Sequence, residues 1–150
     1  MRCISLACAL LLILAASCAA QSRGKGVPPL DESKIVRHYW LVKNGGIIEI
    51  SPKDAADTAT MDLIQKHCEA LSAEFNAGSF ESSVPAGSTP PPSIAQLKKL
   101  KNQITFAVAQ TDTGWSVRML TIDPTARQAV LDFLRFQITE RKTGDPTTDE

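Results

Sequence analysis

The chain has 150 residues, in which 16 lysines and arginines are balanced by 16 aspartates and glutamates. This length suits one domain at most. A net charge of zero provides no field that would attract nucleic acid or an anionic membrane surface, so we expect neither as a partner.

The N-terminal segment is typical of a secretion signal, which we predict for residues 1–20. It has a positive start at Arg2 and then an apolar run that ends in small residues, too short to be a stable membrane-spanning helix. Residues 15–18 (Ala-Ala-Ser-Cys) resemble a bacterial lipobox, in which Cys18 would be lipidated; ordinary cleavage after Ala20 is the alternative. We therefore expect an exported protein, periplasmic or anchored to a membrane by a lipid on Cys18.

The remaining sequence predicts a single domain over residues 34–145. A flexible tether rich in glycine, proline and polar residues precedes it at 21–33, and a disordered tail follows at 146–150. The domain divides into two halves joined by a proline-rich surface linker, the three segments being residues 34–78, 79–93 and 94–145.

Each half has the same order of elements: strand, turn, strand, helix. The predicted strands are 35–43, 47–50, 104–111 and 115–122, and the main helices are 54–75 and 123–142. A short helix at 94–101 leads into the third strand. We therefore predict an α+β fold, a duplicated ββα–ββα arrangement in which a four-stranded antiparallel sheet carries both main helices on one face. Asp54 and Asp123 would begin the two helices, and Gly144 would end the second.

The register of the first hairpin has two solutions. A two-residue turn at Asn44-Gly45 leaves His38, Trp40 and Glu49 together on an exposed face. A three-residue Asn-Gly-Gly turn with a bulge pairs Trp40 with Ile50 instead and gathers a more continuous apolar face. We favour the second solution, which places His38 at the edge of the core.

The last helix has an unusually wide apolar surface. Arg135 lies on its polar side, with Asp132 three residues behind as an ion-pair partner. The apolar residues cover roughly 220° of the helix, against about 100° for an ordinary surface helix. A second layer must cover this arc, and it could be another helix of the chain, a second copy in a homodimer, or an envelope protein. The residues predicted for this interaction face are Leu131, Phe133 and Phe136.

Few residues suggest chemistry. His38, Trp40 and His67 are the candidates for ligand binding, at the edge of the sheet. Cys68 falls on the buried stripe of the first helix and is most simply a small core residue. The spacing of histidines and cysteines matches no metal motif, and neither a nucleophile motif nor a phosphate-binding loop occurs. We predict no catalytic residue, no metal and no cofactor.

The sequence resembles a family of small, uncharacterised exported bacterial proteins. The similarity lies in the segments Leu97–Ile104, Val117–Asp123, Phe133–Ile138 and Thr143–Pro146, together with Trp40, the Asn44-Gly45-Gly46 hairpin and Phe75–Phe80. Relatives often carry a histidine just before the Thr-Gly-Asp of residues 143–145, where this chain has Arg141-Lys142. Some members carry the label aspartate carbamoyltransferase, but the Ser-Thr-Arg-Thr-Arg loop and the two α/β domains of such enzymes have no counterpart in this chain.

Three functions follow, in order of preference. The first is a non-enzymatic exported or lipid-anchored module that binds itself or an envelope protein through its last helix. The second is a small-molecule or metal-binding protein that uses His38, Trp40 and His67. The third and least expected is a carbamoyltransferase-type activity, which the label of some relatives suggests.

Overall fold

A computed structural model describes residues 26–148. The fold is α+β, with a four-stranded antiparallel sheet and three α-helices. The signal segment, Cys18 and the first part of the predicted tether lie outside the described residues. The strands are β1 (Ile35–Val42), β2 (Gly45–Pro52), β3 (Thr105–Gln110) and β4 (Trp115–Leu120), and the helices are α1 (Thr58–Ala77), α2 (Ser93–Leu100) and α3 (Pro124–Arg141).

The sheet has the order β1-β2-β4-β3, so β1 is an edge strand. In the first hairpin Val42 pairs with Gly45 and Trp40 pairs with Ile47, which leaves a two-residue turn at Lys43 and Asn44. The favoured register, which paired Trp40 with Ile50, is therefore wrong.

The two glycines of this hairpin explain the difference. A Cβ on Gly45 would lie 2.0 Å from the carbonyl oxygen of Met119 in β4, and one on Gly46 would lie 2.0 Å from a side-chain carbon of Leu134 in α3. Both glycines lie in β2, at positions where a neighbouring element comes too close for a side chain. From the sequence they were predicted to form the turn.

The register gives the sheet two unlike faces. Tyr39, Leu41, Ile48 and Ile50 are buried on one, which we call the inner face. His38, Trp40 and Glu49 lie on the other, the outer face, where Trp40 is 43% exposed. This distribution is the one that the two-residue turn predicted, although the turn itself lies one residue earlier. His38 is therefore on the outer face and not at the edge of the core.

Local signals define the ends of the two long helices. The Asp57 carboxylate accepts a hydrogen bond from the Thr60 amide at the start of α1, and Asp123 does the same with Ala126 at the start of α3. The predicted cap at Asp54 was thus three residues early. Lys142, with φ of 53°, ends α3 in the left-handed conformation that was predicted for Gly144.

A single core connects the inner face with the helices. Four phenylalanine rings meet at its centre with centroid distances between 4.7 and 6.1 Å: Phe75, Phe80, Phe106 and Phe133. Phe80 belongs to the segment predicted as a surface linker, but it is fully buried. The wide apolar arc of α3 is covered by β1, β2 and α2 of the same chain.

The segment before β1 is attached to this core. Val27 and Leu30 pack against it, and the Pro28 carbonyl lies 2.7 Å from Nδ1 of His67. The prediction of a free tether is therefore wrong for residues 27–30. Within residues 26–148, no helix has both the length and the apolar character needed to cross a membrane.

Candidate functional site

The structure separates the three residues predicted to bind a ligand. His38 and Trp40 lie side by side on the outer face, with ring centroids 5.8 Å apart. His67 lies on α1 and lines a cavity together with Tyr39 of the inner face. The predicted site is therefore two different places, which we describe in turn as the outer cleft and the inner cavity.

The outer cleft is an open depression of about 460 Å³ that includes His38, Trp40 and Glu49. Trp40 donates its indole N–H to Glu49 over 3.0 Å. His38 Nδ1 lies 2.8 Å from Oδ1 of Asp145, a residue that follows α3. The polar side chains that characterise this cleft are therefore already paired with one another or with the C-terminal segment.

Asp145 is the anchor of this arrangement. Its second oxygen accepts hydrogen bonds from the backbone N–H of Tyr39, over 2.9 Å, and from the Thr143 hydroxyl, over 2.7 Å. Burial raises the pKa of Asp145, but hydrogen bonds from His38, Thr143 and Tyr39 outweigh it, so the pKa lies below the ordinary value. Ionised Asp145 accepts a hydrogen bond from a backbone N–H of the edge strand β1. Its role is therefore structural.

The inner cavity has a volume of about 450 Å³ and lies between β1, α1 and the C-terminal turns of α3. Its other walls are residues 27–30 and residues 82–86, and the second segment begins within a short 3-10 helix, Glu81–Ser83. We call these two segments the roof. Apart from the backbone, the cavity presents a concentrated group of polar side chains: Glu32, Arg37, His67, Gln137 and Arg141.

Two of these side chains have hydrogen-bond donors without a partner. The Arg37 side chain is only 8% exposed, and its Nη2 donates a hydrogen bond to the Glu32 carboxylate over 2.8 Å. Gln137 is 1% exposed, and its carbonyl oxygen accepts from Arg141 Nε over 3.0 Å. Among the described residues, neither Arg37 Nε nor Gln137 Nε2 has a hydrogen-bond partner. A buried donor without an acceptor costs about 1–3 kcal/mol, so each calls for an explanation.

Arg141 completes the polar wall. Its Nη2 donates to the backbone carbonyl of Ser83 over 3.0 Å, and its Nη1 lies 3.9 Å from Glu32. The Glu32 side chain is 62% exposed, whereas those of both arginines are largely buried. Charge in the interior of the cavity is therefore predominantly positive.

The remaining ionisable groups at the cavity are neutral. Burial lowers the pKa of His67, which the two nearby guanidinium groups also lower, although its hydrogen bond to Pro28 acts in the opposite direction. Because a carbonyl can only accept, Nδ1 of His67 carries the proton in that bond. Burial raises the pKa of Tyr39. His67 thus fixes the roof to α1 without adding a charge near neutral pH.

The residues predicted for an interaction face are mostly internal. Leu131 is 1% exposed and Phe133 is fully buried, because both belong to the core of the chain. Only Phe136 is partly exposed. Leu131 and Phe133 are therefore unable to contact a partner while the domain is folded.

Two further predictions concern Cys68 and metal ligands. Cys68 is fully buried, as predicted, and burial raises the pKa of its thiol to about 12, so it remains a thiol at neutral pH. In the described part of the chain, no three His, Cys, Asp or Glu side chains come together as a group that could hold a metal ion.

Of the polar residues of the cavity, only His67 was predicted from the sequence, although Gln137 also left a signal. The polar stripe of α3 includes Gln128, Asp132, Arg135 and Thr139, and Gln137 lies away from it, among apolar neighbours. A polar residue on the buried side of a helix needs a partner, so Gln137 could have been singled out. Nothing in the local sequence links Gln137 with Arg37, because the two are 100 positions apart.

Compared with models of known protein families, with curated proteins and with solved structures, the chain matches none of them. The function of the chain is therefore inferred from its own sequence and geometry.

Proposed function

We propose that this protein is an exported, non-enzymatic binding module that holds a small molecule in the inner cavity. The observation that carries the proposal is the pair of buried, unpartnered donors, Arg37 Nε and Gln137 Nε2, on two side chains that line one cavity. A ligand that accepts hydrogen bonds from them would remove a cost that the folded chain otherwise bears.

The size and composition of the cavity support a small ligand. Its volume of about 450 Å³ lies within the range of roughly 300–1,000 Å³ that is usual for small-molecule sites. Val27, Leu30, Leu71 and Val84 contribute apolar wall beside the polar side chains. A lining that combines apolar side chains with hydrogen-bonding groups is typical of ligand pockets.

The polar groups favour binding over catalysis. Guanidinium and amide N–H groups donate hydrogen bonds but do not act as nucleophiles or bases near neutral pH. His67 donates Nδ1–H to hold the roof, and burial lowers its pKa, which makes Nε2 a weaker base. Export is proposed from the sequence of residues 1–20, and lipidation of Cys18 is its membrane-anchored form.

The arrangement of the halves supports a related proposal about the fold. Asp57 and Asp123 cap their helices in the same way, because each carboxylate accepts a hydrogen bond from the amide N–H three residues later. Each of these helices follows an antiparallel hairpin. We infer that the two ββα units derive from one duplicated unit and that both helices cover the inner face of the sheet.

Mass measurement of the intact protein tests the binding function. The full chain would be expressed in a bacterium, purified after export and measured by native mass spectrometry, with and without a library of small metabolites. We expect one molecule of ligand per chain, and we expect Val84→Trp, which fills the cavity, to lose it. Val36→Trp, the same substitution on the outer face, is the matched control and should retain it. If Val84→Trp retains the ligand as well, the cavity is not the site.

A further inference from the structure

We infer that the ligand of the inner cavity is a small organic monocarboxylate with an apolar body, bound with its carboxylate against Arg37 and Gln137. This inference rests on the proposed function and specifies the chemistry that the cavity selects. It follows from three properties of the cavity: the type of its unpartnered groups, its charge and its apolar walls.

The unpartnered groups are all donors. Arg37 Nε has one N–H and Gln137 Nε2 has two, none of them paired, and at this cavity no side-chain acceptor is left buried without a partner among the residues that the structure describes. The ligand must therefore bring acceptors and need bring no donors. A carboxylate has two acceptor oxygens, one for each donor, and charged acceptors form stronger bonds than neutral ones.

The charge of the lining selects a monoanion. Arg37 and Arg141 contribute two positive charges and Glu32 one negative charge, which leaves +1. His67 adds none at neutral pH, because burial lowers its pKa. A monoanion neutralises this lining, whereas a phosphate dianion would leave an excess negative charge in a buried place, at an energetic cost.

The walls require an apolar body. Besides the donors, the lining includes Leu30, Leu71 and Val84. A carboxylate group alone would leave most of the volume unfilled, so an aliphatic or aromatic body is needed to cover these side chains.

The ligand class can be tested with pairs of probes that share a shape. Isothermal titration calorimetry on the exported full chain would compare phenylacetate with phenylacetamide, octanoate with octanamide, and either carboxylate with inorganic phosphate. We expect the carboxylates to bind about tenfold or more tightly than their amides, because each amide replaces one charged oxygen by a donor. Inorganic phosphate should not bind measurably.

Variants connect the selectivity with the two donors. Gln137→Glu keeps the shape but replaces the donor by a carboxylate, and we expect it to weaken carboxylate binding about tenfold or more. Arg37→Lys keeps the charge but removes Nε, and we expect a smaller loss in the same direction. Gln128→Glu, which makes the same change on the exposed side of α3, is the matched control and should leave binding unchanged. If Gln137→Glu does not fold, Arg37→Lys carries the test.

The possible outcomes separate the two proposals. Equal affinity for the carboxylate and its amide, undiminished in Gln137→Glu and Arg37→Lys, would overturn the carboxylate while leaving the cavity as a binding site. Preferred binding of phosphate would overturn the monoanion. Absence of binding by every probe, together with a native mass that shows no ligand, would overturn both proposals.

Discussion

The two faces of the sheet differ in whether their polar side chains have hydrogen-bond partners. On the outer face, where water is available, Trp40 is paired with Glu49 and His38 with Asp145. On the inner side, where water is excluded, Arg37 and Gln137 each keep a donor without a partner. Since an unmade hydrogen bond costs little in water and much in the interior, the inner donors are the more informative. Of the three residues predicted to bind a ligand, His38 and Trp40 lie on the outer face, whereas the unpartnered donors lie inside.

The largest loss of stability is expected from a substitution in the core that packs against the inner face. Phe133→Ala removes a fully buried ring that packs edge-on against Phe75, with centroids 6.1 Å apart. We expect the free energy of unfolding, measured by urea titration, to fall by about 3–5 kcal/mol. Phe136→Ala, at the partly exposed neighbour, should cost about 1 kcal/mol or less. Equal losses would mean that Phe136 is buried by something beyond the domain, such as a second copy, which would revive the predicted interaction face.

The second largest loss of stability is expected at Asp145, which pairs with His38 of the outer face. Its three hydrogen bonds connect the C-terminal segment with β1, so Asp145→Asn should lower the free energy of unfolding by about 1.5 kcal/mol at pH 7. Asp132→Asn, at an exposed carboxylate of α3, should cost much less.

The pH dependence of this contribution has a defined sign. Because the pKa of Asp145 is lower in the folded state, its stabilisation is fully present above the unfolded value of about 3.9 and is lost as the pH falls through the folded value. Urea titrations at pH 7 and pH 3 should therefore show the wild type and Asp145→Asn converging at low pH. A difference that stays constant would show that the hydrogen bonds of the ionised carboxylate do not stabilise the fold.

Gln137 should separate stability from binding. Gln137→Met keeps the length of the side chain and removes the unpartnered amide N–H groups, but it also removes the acceptor of Arg141 Nε. The two effects oppose each other, so we expect the free energy of unfolding to change by no more than about 1 kcal/mol, in either direction. Carboxylate binding should decrease sharply in the same variant, because one of the two donors is gone. A loss of several kcal/mol without any change in binding would identify Gln137 as a structural residue and would remove the main support for the inner site.

Local signals were sufficient to predict much of the fold. Asp123 and Pro124 identify the start of α3 within the sequence, and alternating and helical patterns give the order of the strands and helices. The hairpin register failed because its cause is not local. Gly45 and Gly46 are needed where Met119 and Leu134 approach β2, and an Asn-Gly-Gly sequence carries no information about those neighbours.

The candidate site was less predictable, for the same reason. Arg37 lies in an edge strand, and Gln137 and Arg141 lie at the end of α3, so only the tertiary fold brings them together. His38 and Trp40 could be paired from the sequence because alternate residues of one strand share a face. The core role of Phe80 was missed because its surroundings, which are rich in serine and proline, are typical of a surface loop.

The smallest effect should come from the outer cleft, where the predicted ligand-binding pair lies. Trp40 is 43% exposed, and its bond to Glu49 competes with water. Glu49→Gln keeps an acceptor for the indole, so we expect it to change the free energy of unfolding by about 0.5 kcal/mol or less. Trp40→Phe should have a similarly small effect and should leave binding to the inner cavity unchanged. A loss of ligand in either variant would show that the outer face takes part in binding, and the division of roles between the two faces would then have to be abandoned.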